Sequence, residues 1–160
     1  GKILWFLITC RPDLLPIDLK RQGRAEEHVP LFYPETPGEY DEIYRVMLKK
    51  LGIKTSVTDV SAVADEKALM GLSGSDLEAV LVRATLEAEA EGVSEVSQVH
   101  LTKVFADFIP PNNSREREMQ ILCAVLESTS RELLPQKYRD MDRGEIQSRI
   151  QAIKFELRLS

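Results

Sequence analysis

I-L-W-F-L-I-T-C-R-P-D-L-L-P-I-D-L-K-R-Q-G-R, residues 3–24, opens with six apolar side chains in a row, Ile3 to Ile8, without alternation. So short an apolar run reads as a strand covered on both faces, as in a parallel sheet. Arg11-Pro12-Asp13 ends it, because proline offers no amide hydrogen and pushes its predecessor out of helical space. A turn and a short helix follow, and then two arginines, Arg21 and Arg24, separated by Gln22-Gly23. A second short strand is expected at His28 to Phe32, before Pro34. A fully apolar strand with open edges invites aggregation, so Ile3 to Ile8 is expected to pack on helices or pair with another copy.

From Thr36 onward the pattern is helical. Thr36-Pro37-Gly38-Glu39 is a capping box with proline at the first helical position. Tyr40, Ile43, Tyr44, Met47, Leu48 and Leu51 then share one face, Lys49 and Lys50 suit the negative end of the dipole, and Gly52 stops the helix. A shorter helix is expected from Thr58 to Ala64 or a little beyond. Ser73 caps the next, with Asp76 at the third helical position and Leu72 and Leu77 stapling across the cap; the alternative frame caps at Ser75 with Glu78. Its stripe is Leu77, Val80, Leu81, Ala84 and Ala88, and Gly92 closes it. Ser97 starts another, with Leu101, Val104, Phe105 and Phe108 at helical spacing before Pro110-Pro111. After Asn113 comes a helical pair. The first member runs from about Arg115 to Ser130 with Met119, Leu122, Val125 and Leu126 inward. The second starts at Asp142 and carries Ile146, Ile150, Ile153 and Leu157.

Composition narrows the function classes. With 43% hydrophobic residues the chain can bury a core. A formal net charge of −5 speaks against a nucleic-acid partner. The two cysteines, Cys10 and Cys123, have no metal-ligand spacing and read as reduced thiols of a cytoplasmic protein. No apolar run approaches the roughly 20 residues of a membrane helix, and Lys2 alone does not make a signal peptide, so no membrane partner is expected. His28 and His100 stand apart, and no catalytic or metal-binding role is assigned to them.

Three segments, in order, resemble the AAA ATPase family. Thr9-Cys10-Arg11-Pro12-Asp13 is similar to its strand-end motif, usually T-N-R-P-D, whose polar second residue is sensor 1. That residue touches the γ-phosphate or orients the attacking water. Cys10 stands there, with a thiol that is a weaker donor and acceptor than an amide. Thr9 is a substitute if the backbone turns it inward; a small buried side chain at a strand end is the plainer reading of Cys10. Residues 14–24 resemble L-D-P-A-L-x-R-x-G-R, which implies that Arg21 and Arg24 are the arginine fingers of a neighbouring subunit's site. A guanidinium can pair bidentately with phosphate oxygens and stabilise charge in phosphoryl transfer. Two solvated surface charges, paired with Glu26 and Glu27, are the alternative. Gly71-Leu72-Ser73-Gly74-Ser75-Asp76-Leu77-Glu78 resembles G-x-S-G-A-D-L-E at the start of the lid helix. That match implies that Gly74 and Ser75 line the adenine and ribose side.

The resemblance covers about Ile3 to Pro111. It implies the end of an AAA α/β core (residues 1–35) and a helical lid (36–111); the C-terminal helical pair (112–160), read from its periodicity, matches no core element of the family, and the whole is expected to be mainly α with a small β remnant. There is no G-x-x-x-x-G-K-[ST] and no apolar strand ending in paired acids. ATP and magnesium are therefore expected in the intact ATPase, none is expected bound to this chain, and the chain alone should be inactive. The implied function is the C-terminal fragment of an oligomeric, ring-forming AAA ATPase that remodels a protein substrate. Two alternatives stand beside it. One is a non-enzymatic helical interaction module centred on residues 112–160. The other is a nucleotide-dependent switch in which Cys10 has cost efficient hydrolysis.

Overall fold

Thr36 starts the first helix as its side chain predicts. In the computed structural model, which describes residues 2–21 and 23–159, its Oγ1 accepts from the Glu39 amide at 3.3 Å. The Glu39 carboxylate returns to the Thr36 amide at 3.1 Å. Helix α1 then spans Pro37–Leu51 and ends at Gly52, whose φ of +67° is the left-handed value that glycine adopts without a Cβ penalty. The described residues divide into two units. One is Tyr33–Pro111; the other joins the residues up to Phe32 with those from Asn112 onward.

In the unit Tyr33–Pro111 a 3-10 turn, Val60–Ala62, and a short helix α2, Glu66–Leu69, stand where a single helix over Thr58 to Ala64 is expected. Asp59 and Asp65 explain the break. Each sits in extended backbone, and Asp65 caps α2 by accepting from the Ala68 amide at 2.8 Å. Helix α3 spans Gly74–Ala90 and α4 spans Gln98–Asp107. Both begin with reciprocal capping boxes, Ser73 with Asp76 and Ser97 with His100.

The expected stripes are the core. Tyr40, Tyr44, Leu77, Val80, Leu81, Ala84, Ala88, Leu101, Val104 and Phe105 are buried in one cluster with Val57, Val60, Leu69, Leu72 and Val96. Each large aliphatic side chain so placed contributes about 1.5–3 kcal/mol. Polar groups that enter this core are matched. The Tyr44 hydroxyl donates to the Val57 carbonyl at 3.2 Å. The buried Asp41 carboxylate accepts from the Ser61 amide at 2.9 Å and from its hydroxyl at 2.8 Å.

The other unit contains the helical pair. Helix α5, Ser114–Glu127, is followed by α6, Gln136–Arg139, and α7, Arg143–Leu159. Asp142 caps α7, accepting from the Glu145 amide at 3.0 Å. Met119, Leu122, Cys123 and Val125 meet Ile146, Ile150 and Ile153, with Leu134 between them. Helix α5 ends at Glu127, not Ser130, because Ser128 is already extended at ψ 134°.

The fold is mainly α, as the sequence implies, with almost no strand. Among the described residues the extended pairing is a single parallel bridge, Thr55 to Val96. The strand expected at Ile3 to Ile8 does not form. Those residues take no regular structure and all six side chains are exposed, Trp5 at 81% and Ile8 at 94%. A strand finds its hydrogen bonds only in a neighbouring strand, and no described residue supplies one. The expectation that they pack on helices is therefore corrected for this chain. His28 to Phe32 is likewise not a strand; its contacts go to the helical pair instead.

Burial, with Asp59 nearby, pushes the Tyr44 phenol up to about 12. The neutral phenol is therefore the form that folding favours. Its contribution is complete below pH 10 and is lost as pH rises from 10 towards 12, where only the unfolded chain ionises it. Alkaline unfolding followed by circular dichroism is expected to show this loss, and Tyr44→Phe to flatten it. At neutral pH the same variant is expected to lower stability by about 1 kcal/mol, because the Val57 carbonyl loses its donor.

Candidate functional site

The arginine-bearing stretch begins with a local electrostatic knot. Arg11 reaches forward two residues, and its Nε and Nη2 both donate to Asp13, each at 2.9 Å. Lys154 of α7 adds a second cation to Asp13 at 3.4 Å. The Arg11 hydrogen bond, outweighing the cost of burial, holds the Asp13 carboxyl down at about 2. Pro12–Leu14 forms a 3-10 turn there and packs on α5.

Thr9 and Cys10 precede this knot. The Thr9 hydroxyl accepts from the Arg11 amide at 3.0 Å in a local turn, and the residue is exposed rather than turned inward. Cys10 is an exposed free thiol. That corrects the plainer reading of it as a small buried residue, which presupposed the strand.

Next the chain forms a closed loop. The Ala25 amide donates to the Leu19 carbonyl at 3.2 Å, and the Arg24 amide donates to the Arg21 carbonyl at 3.3 Å. Gly23 makes the turn with φ +86°, and its amide donates to the Glu26 carboxylate at 2.7 Å. Arg21 and Arg24 are thus carried on one small loop, both exposed. Arg21 pairs with Asp18 at 3.5 Å rather than with Glu26 or Glu27, and at this exposure the pair contributes little. Gln22 of the expected motif lies outside the described residues.

Gly74 and Ser75 lie in the other unit, at the start of α3. A Cβ placed on Gly74 would sit 3.4 Å from the Met47 methyl of α1. That is ordinary van der Waals contact with the end of a flexible side chain, so packing against α1 does not by itself require glycine here. Ser75 is exposed, and its hydroxyl meets that of Ser73 at 2.8 Å. Asp76 is a cap, as expected: its Oδ2 accepts from the Ser73 amide at 2.7 Å and from the Ser73 hydroxyl at 2.6 Å.

The six residues are divided between the units: Thr9, Cys10, Arg21 and Arg24 in one, Gly74 and Ser75 in the other. For a nucleotide with magnesium, the donor set fits only in part. Arg21 and Arg24 are exposed cations in one unit, and Gly74 starts α3 in the other. No phosphate loop or acidic strand end is present to hold the phosphates and the metal. Among the described residues no group of three His, Cys, Asp or Glu side chains could hold a metal ion. A cleft of about 550 Å³ lined by α5, α6 and α7 residues, including Arg117, Ile121, Tyr138 and Arg149, contains none of the six.

Comparison with known proteins follows the motif order. "ATP-dependent zinc metalloprotease FtsH 1" of Thermoanaerobacter sp. (strain X514) is 28% identical over 117 residues, 73% of this chain and 18% of that protein. "ATP-dependent zinc metalloprotease FtsH" of Chlamydia trachomatis serovar L2 is 31% identical over 117 residues, 73% of this chain and 12% of that protein. The FtsH 2 protein of Symbiobacterium thermophilum is 30% identical over 111 residues, 69% and 18% of the two chains. The chain belongs with the AAA ATPases. It corresponds to a C-terminal region of the AAA ATPase, and it spans less than a fifth of the length of these relatives. No protein-family model and no solved structure matches it. The sequence of this AAA chain has only two histidines, 28 and 100, so the paired H-E-x-x-H spacing of a zinc hydrolase is not within it.

The histidines and the helix ends they serve were missed in the sequence. His100 is buried at the third position of α4, where its Nδ1 accepts from the Ser97 amide at 3.1 Å. Its Nε2 therefore carries the proton and donates to Glu91 at 3.0 Å. His28 is held between two carbonyls, with Nδ1 2.8 Å from Glu127 O and Nε2 2.9 Å from Ala25 O. Histidine at a capping position has no strong propensity signal, and the partner of His28 is 99 residues away.

Asp13 supplies the prediction of this site. Its carboxyl is depressed in the folded state, so its contribution is present above pH 4 and is lost as pH falls from 4 towards 2. Asp13→Asn is expected to cost up to about 2 kcal/mol at pH 7, measured by urea unfolding of this chain. The variant should also lose less stability than wild type between pH 4 and pH 2. Equal acid sensitivity of the two proteins would show that Asp13 is not the group concerned.

Proposed function

We propose that this chain is the arginine-finger and lid part of an oligomeric AAA ATPase that couples ATP hydrolysis to remodelling of a protein substrate. The observation that carries the reading is the exposed loop closed by the Ala25–Leu19 hydrogen bond, which presents Arg21 and Arg24 away from any core. Two exposed guanidinium groups on a small loop, that of Arg21 near an exposed Asp18, suit a phosphate on another molecule. The relatives whose names describe them as ATP-dependent support the nucleotide, and the order of the three motifs supports the assignment of roles.

In this reading Arg21 and Arg24 act across a subunit interface in a homo-oligomeric ring. They stabilise charge on the transferred phosphoryl group of the neighbour's ATP. Gly74 and Ser75 face the adenine and ribose of ATP bound in their own subunit. ATP and magnesium supply the phosphoryl chemistry, and are held by residues of the ATPase outside this chain. Cys10 occupies the sensor 1 position without the amide of the family pattern, and Thr9 is exposed rather than turned inward. Neither is therefore given a step. The protein is placed in the cytoplasm, in keeping with its free thiols. Among the described residues no helix is long and apolar enough to cross a membrane.

The test is made on the full-length ATPase. Arg21→Ala and Arg24→Ala are each expected to lower kcat by about a thousandfold while ATP affinity changes less than about threefold. Mixing either variant with a subunit defective in its phosphate loop should restore part of the turnover, since each supplies what the other lacks. Wild-type turnover in both arginine variants sinks the assignment.

A further inference from the structure

The arginine loop is closed at its base by Leu19 and Ala25, and both sides of that base run to one residue of α5. On the incoming side, Lys20 Nζ donates to the Glu127 carboxylate at 2.6 Å. On the outgoing side, the His28 ring bridges the Glu127 carbonyl at 2.8 Å and the Ala25 carbonyl at 2.9 Å. The His28 amide donates to Thr129 Oγ1 at 3.1 Å, and the Thr129 amide returns to the His28 carbonyl at 3.5 Å. Glu127 is the last residue of α5, so its carbonyl is one of the four that the helix leaves without an internal partner.

These contacts form a ring: Glu127 carboxylate to Lys20, loop base from Leu19 to Ala25, His28 ring, Glu127 carbonyl. Both carbonyls facing the imidazole can only accept, so whichever ring nitrogen carries a proton donates to one of them. Lys20 and Glu127 are 18% and 28% exposed at their side chains, far less than the surface pairs of α3 and α4. Screening is correspondingly weaker there. Further along, Phe32 stacks on Tyr138 with ring centroids 5.8 Å apart, and at the near end Lys154 holds Asp13. The helical pair thus grips the segment at Asp13, Lys20, His28 and Phe32, on both sides of the loop that carries the arginines.

We propose that residues 112–159 are a brace for the arginine loop, with Glu127, Lys20 and His28 as positioning residues that fix where Arg21 and Arg24 point. This gives the C-terminal helical pair a function, and its catalytic consequence rests on the finger reading above. A group that must meet a transferring phosphoryl loses much of its effect when displaced by about an ångström, so a loosened base should lower kcat and leave nucleotide binding alone.

The experiment uses the full-length ATPase with Lys20→Glu, Lys20→Gln, the charge swap Lys20→Glu with Glu127→Lys, and the two arginine variants as references. Two quantities are read: kcat against KM for ATP, and amide hydrogen exchange by mass spectrometry in peptides covering residues 16–29. Lys20→Glu is expected to lower kcat about tenfold with KM within about twofold. It should raise exchange across residues 16–29 about tenfold, with α3 and α4 unchanged. The swap should restore both to within about threefold, and Lys20→Gln should move both in the same direction by less. Lys20→Gln also serves if Lys20→Glu does not fold. Unchanged exchange in both Lys20 variants overturns the brace. Raised exchange with unchanged kcat, while Arg21→Ala still loses turnover, overturns the positioning role and leaves the fingers standing. A swap that fails to restore either quantity overturns the pairing. If both arginine variants keep wild-type turnover, the finger reading fails and the catalytic part of this inference fails with it.

Discussion

Helix ends govern this structure. A chain almost without sheet has no ladders to absorb its backbone groups, so the hydrogen-bond account is settled where helices begin and stop. Thr36, Asp65, Ser73, Ser97 and Asp142 each fill a helix start with a side-chain oxygen. At the far end of α5 the opposite problem arises, an open carbonyl at the negative end of the dipole, and His28 meets it. The N-terminal caps are local and build the helices. The C-terminal one is remote and attaches a loop to a helix, so a routine backbone requirement becomes the joint on which the arginine loop is set.

The difference between local and remote explains what the sequence made legible. Capping boxes and apolar stripes depend on residues three and four apart, and Thr36, Ser73 and Ser97 all cap as their spacing says. Leu77, Val80, Leu81, Ala84 and Ala88 are all buried for the same reason. Lys20 and Glu127 are 107 residues apart, and nothing in either neighbourhood distinguishes them from other solvated charges. His100 was readable in principle, since it sits three residues after a capping Ser97, but glutamate is the usual partner there. Gly74 was read through its motif as a ligand-facing glycine, and its packing gives no competing reason for glycine, since a Cβ there would meet the Met47 methyl at an ordinary 3.4 Å.

Ion pairs sort by burial rather than by number. Lys103 with Glu87 and Arg45 with Asp59 join exposed side chains, and water screens such pairs so that they contribute little. On α5 and α7, Glu118 receives both Arg149, at 2.7 Å and 3.0 Å, and Arg115, at 3.2 Å. That network aligns two helices already joined by Met119, Leu122, Ile146 and Ile150. Asp13 differs in kind. Its side chain is 14% exposed and it serves two cations from different parts of the chain. Removing it strands Lys154 beside an emptied site, so the cost exceeds that of a surface pair.

Ile3 to Ile8 shows why the two elements of the expected core behaved so differently. A helix carries its hydrogen-bond partners within its own sequence, so α1, α3 and α4 form wherever their apolar face finds cover. A strand carries only half of each bond, and six apolar residues specify burial without specifying against what. The same run that reads most strongly in the sequence is therefore the least determined in the structure, with Ile8 94% exposed. Cys10 inherits that indeterminacy, since its burial depended on the strand end. The arginine loop does not. Four residues downstream of the second proline, Lys20 ties it to Glu127 at the end of α5. The segment that carries Arg21 and Arg24 is accordingly held by residues inside the described fold, which Ile3 to Ile8 is not.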